Sequence, residues 1–133
     1  MPEKKNQSIF GVTPGFVFTK DGNCTVGTYL RIGSVTSNLS GMPIFGRNFI
    51  QAYKVSVQSA PTTQCVFRLA LRIGQSTWNP ITNFSIILPA GQYTASQNTF
   101  YVLPQNCELG VFLQSGVTLN NVVLNLFLLP YYD

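Results

Sequence analysis

Phe49-Ile50-Gln51-Ala52-Tyr53-Lys54-Val55-Ser56-Val57-Gln58, followed after a break by Cys65-Val66-Phe67-Arg68-Leu69-Ala70-Leu71-Arg72-Ile73-Gly74, is the stretch from which the fold class is read. In the first segment Tyr53, Val55 and Val57 alternate with Lys54, Ser56 and Gln58. In the second, Phe67, Leu69, Leu71 and Ile73 occupy one set of alternate positions, and Arg68 and Arg72 the other. A period of two places apolar side chains on one face of an extended strand and polar ones on the opposite face. A helix would need apolar residues at steps of three and four, which neither window supplies. Ala60-Pro61-Thr62-Thr63 lies between the two segments and predicts an antiparallel hairpin.

Strand signals recur on both sides of this pair. Gly15-Phe16-Val17-Phe18-Thr19 is a short β-rich run, and Lys20-Asp21-Gly22-Asn23 after it predicts a hairpin turn on its Asp-Gly pair. Thr25 to Ile32 reads as the returning strand, Gly33 to Gly41 as a loop, and Phe45-Gly46-Arg47-Asn48 as a bend. Downstream, Phe84 to Leu88 is stopped by Pro89 and Gly91, and Phe100 to Leu103 by Pro104. Glu108 to Leu113 follows. Val122-Val123-Leu124-Asn125-Leu126-Phe127-Leu128-Leu129 is apolar at nearly every position, which predicts a strand central in its sheet or covered on both faces. About eight short strands separated by Gly, Pro and Asn turns describe an all-β, antiparallel β-sandwich of jelly-roll type. An immunoglobulin-like sandwich is the alternative topology, but Trp78, beside Asn79-Pro80, sits where a turn is expected and not in a core strand. Residues 1–8, including Lys4 and Lys5, are polar, without periodicity, and read as a flexible arm preceding a single domain over 9–133.

Only 9% of the 133 residues are charged, against about 25% in an average soluble domain. A chain with 45% hydrophobic residues and so little charge is expected to hide part of its surface against other subunits. The net charge of +4 reflects missing acids more than abundant bases, since no Asp or Glu occurs between Gly22 and Cys107. The bases in that interval are dispersed, so direct nucleic-acid binding is not indicated. Nothing in Met1 to Gln7 resembles a secretion signal, and no apolar run is long enough to span a membrane. Cys24, Cys65 and Cys107 stand about forty residues apart, a spacing that matches neither a zinc nor a redox motif. Three reduced thiols in a cytosolic product is the first reading, with one bridge and one free thiol as the alternative.

Chemistry is poorly provided for. The chain has no His, and its four acids are Glu3, Asp21, Glu108 and Asp133. A general acid–base pair, a Cys–His nucleophile, a phosphate loop and a calcium loop are all missing from the sequence, so no catalytic residue, cofactor or metal site is assigned. What remains is binding. Arg68 and Arg72 share one strand face, and Lys54 is expected on a neighbouring strand, giving a basic face. Trp78, Tyr93, Tyr101, Tyr131 and Tyr132 are aromatics near turns or at the C-terminus, where they either cap the sandwich or anchor a sugar or a protein.

Gly27-Thr28-Tyr29-Leu30-Arg31-Ile32-Gly33, Leu88-Pro89-Ala90-Gly91-Gln92-Tyr93 and Leu103-Pro104-Gln105-Asn106-Cys107-Glu108-Leu109-Gly110-Val111 resemble segments of small virion structural proteins of tailed bacteriophages, of the capsid-decorating, head-fibre and tail-fibre-tip kinds. The resemblance implies a trimeric β-sandwich, made in the host cytoplasm and located in the virion. It further implies that the N-terminal arm, with Lys4 and Lys5, docks on partners such as the major capsid protein. It brings no catalytic residues. A module binding glycans or a host receptor is the alternative expectation.

Overall fold

The computed structural model describes residues 15–32, 41–74 and 77–132. The arm expected over residues 1–8, with Lys4 and Lys5, lies outside the described residues, as does most of the Gly33 to Gly41 loop. The described residues hold nine strands and no helix: β1 (Gly15–Cys24), β2 (Arg31–Ile32), β3 (Met42–Pro43), β4 (Asn48–Ser56), β5 (Cys65–Arg72), β6 (Asn79–Leu88), β7 (Thr94–Val102), β8 (Glu108–Ser115) and β9 (Leu119–Pro130). They form two antiparallel sheets, one ordered β2-β1-β9-β4-β7 and the other β3-β8-β5-β6. The all-β sandwich of jelly-roll type is therefore correct.

The alternation read from β4 and β5 is the alternation that builds the core. Tyr53 and Val55 of β4, Phe67 and Leu69 of β5, and Leu124, Leu126 and Leu128 of β9 are all buried between the sheets. Each fully buried Leu, Ile or Phe side chain contributes roughly 1.5–3 kcal/mol through removal of apolar surface from water. No polar or charged side chain among the described residues is buried, so the core needs no internal hydrogen-bonding network. β9, the most apolar strand, lies between β1 and β4 in the middle of its sheet, as its composition requires.

Four local expectations are corrected. The Asp21-Gly22 pair does not turn the chain. β1 continues through it to Cys24, still paired with β9, and the register slips between Lys20 and Asn23. Gly22 takes a left-handed φ of 73°, and its N–H donates to Asn121 Oδ1 at 2.7 Å. Here Asp-Gly makes a bulge inside a strand, because β9 offers a continuous partner on the far side. The segment after it is not a full strand either. Gly27 and Leu30 donate singly to β8 carbonyls before Arg31 and Ile32 pair with β1, so the chain crosses from one sheet to the other.

The third correction has consequences for the site. β4 and β5 do not form a hairpin: β4 belongs to the five-stranded sheet and β5 to the four-stranded one. The segment between them turns over the end of the sandwich, where Val57 N–H donates to Tyr93 O and Gly91 N–H to Pro61 O. β7 also begins six residues before the expected Phe100, since Thr94 to Asn98 pair with β4 despite their largely polar composition.

Candidate interaction surfaces

Because β4 and β5 lie in different sheets, Lys54 does not share a face with Arg68 and Arg72. Lys54 is exposed on the outer face of the five-stranded sheet, between Ser96 and Asn125 of the flanking strands. Arg68 and Arg72 lie half-buried on the outer face of the other sheet. Neither is a spare cation. Arg68 Nη1 donates to the carbonyls of Ile81 and Thr82 at 3.1 Å each, and to that of Phe84 at 3.5 Å. Arg72 Nη2 donates to Glu108 Oε1 at 2.6 Å, and its guanidinium lies 4.4 Å from the centre of the Trp78 ring.

Trp78 is thus neither a sandwich cap nor a free stacking platform. It precedes β6 and folds over the outer face of the four-stranded sheet. A β-carbon at Gly110 would meet its ring at 3.2 Å, and one at Gly41 would meet it at 2.5 Å. Tyr29 packs 5.7 Å from Trp78 and 5.1 Å from Phe112, between ring centres. The two glycines make room for the indole, which covers this sheet with aromatic surface. The Arg72–Glu108 pair joins residues 36 apart in the chain, and no local pattern announced it.

The remaining aromatics divide. Tyr93 is 61% exposed in the β6–β7 turn. Tyr132 is 85% exposed beyond the end of β9. Tyr131 belongs to a cluster on the outer face of the five-stranded sheet. Its ring lies 6.4 Å from Phe49 and 5.9 Å from Phe100, which are 4.6 Å from each other, and the Arg47 guanidinium sits 5.9 Å from the Tyr131 ring centre. Phe100 remains 63% exposed. Outward positions of the same sheet add the exposed Val17 and Val123 and the half-buried Phe127 and Leu129.

Phe49 and Phe100 were not among the residues singled out from sequence. A signal for Phe100 existed: it is followed directly by Tyr101. Neighbours in a strand point to opposite faces, so one member of an aromatic doublet must turn outward when the other packs on the core.

The three cysteines are free and buried. Burial pushes the Cys24 thiol up to about 11, Lys20 opposing the shift and Cys65 adding to it. Burial raises Cys107 as well. Thiols held neutral in this way are poor nucleophiles and poor metal ligands. Among the described residues no group of three or more His, Cys, Asp or Glu side chains could hold a metal ion.

No protein-family model matches the chain, and no curated protein matches it. Among solved structures, the globular domain of zebrafish complement 1qA protein superposes on 92% of this chain and on all of that domain, with a TM-score of 0.50 and 9% sequence identity. At that identity the likeness is one of fold, and it assigns the sandwich to the jelly-roll type.

Proposed function

We propose that this chain is a non-catalytic structural protein of a virus particle that acts as a homotrimer, with the outer face of the five-stranded sheet as the contact between copies. The observation that carries the assembly is the Phe49–Phe100–Tyr131 cluster, in which Phe100 stands exposed beside the half-buried Phe49 and Tyr131 on a chain with little charge elsewhere to keep it soluble. Aromatic side chains with an Arg alongside are the residues that dominate protein contacts when buried. Every copy carries the same face, so a ring of copies satisfies all of them at once, and a rotation that closes limits the assembly. The place in a particle rests on the bacteriophage resemblance of the Leu88–Tyr93 and Leu103–Val111 segments. It is supported by a fold suited to binding and by the missing acid–base set.

Light scattering tests the assembly: the expected mass is three times 14.7 kDa, and a monodisperse monomer at micromolar concentration removes the reading. Co-sedimentation with assembled capsids tests the location. Binding that weakens when residues 1–8 are deleted is the expected result, and no association with capsids or fibres removes the virion role.

A further inference from the structure

β6 and β7 are the edge strands of the two sheets, and they lie along the same flank of the sandwich. Each carries an irregularity facing the other. On β6 the pairing with β5 runs Arg68 with Ser85 and then Ala70 with Pro80, so residues 81–84 bulge out opposite Leu69 alone. On β7 the pairing with β4 runs Ile50 with Tyr101 and then Ala52 with Asn98, leaving Thr99 and Phe100 opposite Gln51. Both bulges are braced: the first by the Arg68 guanidinium on three carbonyls, the second by Thr99 Oγ1, which donates to Ile50 O at 2.7 Å. Bulges held by dedicated bonds re-aim side chains, and they gather beside binding sites.

Here they open a cleft of about 390 Å³. Its lining is aromatic and amide: Phe84 and Tyr101, with ring centres 5.0 Å apart, and Asn83, Ser85, Gln97 and Asn98. Tyr101 OH donates to Asn83 Oδ1 at 3.0 Å across the gap between the two edge strands, and Tyr53 OH donates to Gln97 Oε1 at 3.2 Å. Burial raises the Tyr101 phenol, which keeps it a donor. Both bonds occupy the carbonyl ends of the amides. The amide nitrogens of Asn83 and Gln97 are left pointing to no protein acceptor among the described residues. No charged side chain lines the cleft.

We infer that this cleft between β6 and β7 is a binding site for a neutral glycan. The ligand must offer many hydroxyl groups to fixed amides and hydroxyls, and an apolar C–H face to the rings; a hexose or N-acetylhexosamine does both. The volume lies at the lower end of small-ligand sites, which suits one or two sugar rings. No cation lines the cleft itself for a sialylated or phosphorylated ligand: Arg68 is committed to the β6 bulge, and Lys54 lines the neighbouring depression that shares Tyr53, Gln97 and Asn98. A peptide adding as an extra strand needs a continuous edge, and the bulges interrupt both edges. Phe100 also lines the cleft, so the site adjoins the proposed contact between copies at that residue, while it lies apart from Trp78 and Tyr93.

The test is an array of neutral hexose, N-acetylhexosamine and sialylated oligosaccharides probed with the full chain, followed by calorimetry on the best neutral oligosaccharide. Asn83→Ala and Gln97→Ala change exposed side chains, so the fold and the light-scattering mass should persist while affinity falls tenfold or more. Tyr93→Ala should leave affinity unchanged. Absence of any neutral-glycan binding overturns the inference, as does binding confined to sialylated glycans or binding indifferent to both amide variants. A monomeric protein that binds neutral glycans through Asn83 and Gln97 would remove the trimer and leave this site standing.

Discussion

Gly116 takes a φ of 122°, and a β-carbon there would stand 2.6 Å from Cys65 Sγ and 2.9 Å from Cys65 Cα. Both the backbone conformation and the space exclude a side chain. Gly22 also has positive φ, yet nothing lies within 4 Å of its missing β-carbon. Gly116→Ala should therefore cost more than about 2 kcal/mol and Gly22→Ala about 1 kcal/mol, a ranking that thermal unfolding of the two variants reads directly. Cys24 makes a second prediction at this scale. Its folded-state value of about 11 lies above the ordinary 9.0, so the unfolded chain releases this proton first as pH rises. The stability it contributes is whole below pH 9 and is lost between pH 9 and about 11, a change on the order of 2 kcal/mol. Denaturant unfolding across that window should show a shallower decline in Cys24→Ala than in the parent. Equal slopes would place the pH dependence elsewhere.

Arg68 shows how a strand pattern is read correctly and its purpose missed. Its position on the polar side of β5 was legible from the alternation around Phe67 and Leu69. What it binds was not, because the three carbonyls belong to β6 and become reachable only once the β6 bulge exists. Arg68→Ala should lower stability by about 1–3 kcal/mol and speed amide exchange at Thr82 and Asn83, while Phe67 and Leu69 stay protected. Elements with one wet face and one dry face, such as β4 and β5, announce themselves through their period. β7 does not, because Thr94 to Thr99 form an edge strand whose faces are both largely in water. Asp21-Gly22 misled for a related reason: the same dipeptide suits a hairpin or a bulge, and the choice belongs to the partner strand. The cleft was invisible in sequence since its two sides, Asn83 and Tyr101, are joined only through tertiary structure.

Across the whole molecule the two outer faces are finished differently. The four-stranded sheet is roofed by its own residues, Trp78 and Tyr29 over Gly110, with Arg72 tied to Glu108. On the five-stranded sheet Phe100 is left exposed beside the half-buried Phe49 and Tyr131. A carboxylate in the middle of that cluster should dissolve the assembly without unfolding its parts. Phe100→Glu is expected to run as a monomer of 14.7 kDa with an unchanged β-type circular-dichroism spectrum, and an unchanged oligomeric mass would move the contact to another surface. The position of β9 has a consequence of another kind. Its register sets Phe127 beside both Gly15 and Ala52, so two strands made early wait for one made late. On a ribosome, β1 and β4 can pair early with β2 and β7, but each keeps one open edge until Leu119–Pro130 emerges. A nascent chain stalled short of Leu119 is thus a half-built sheet with two open edges, and it is expected to aggregate more readily than the finished chain.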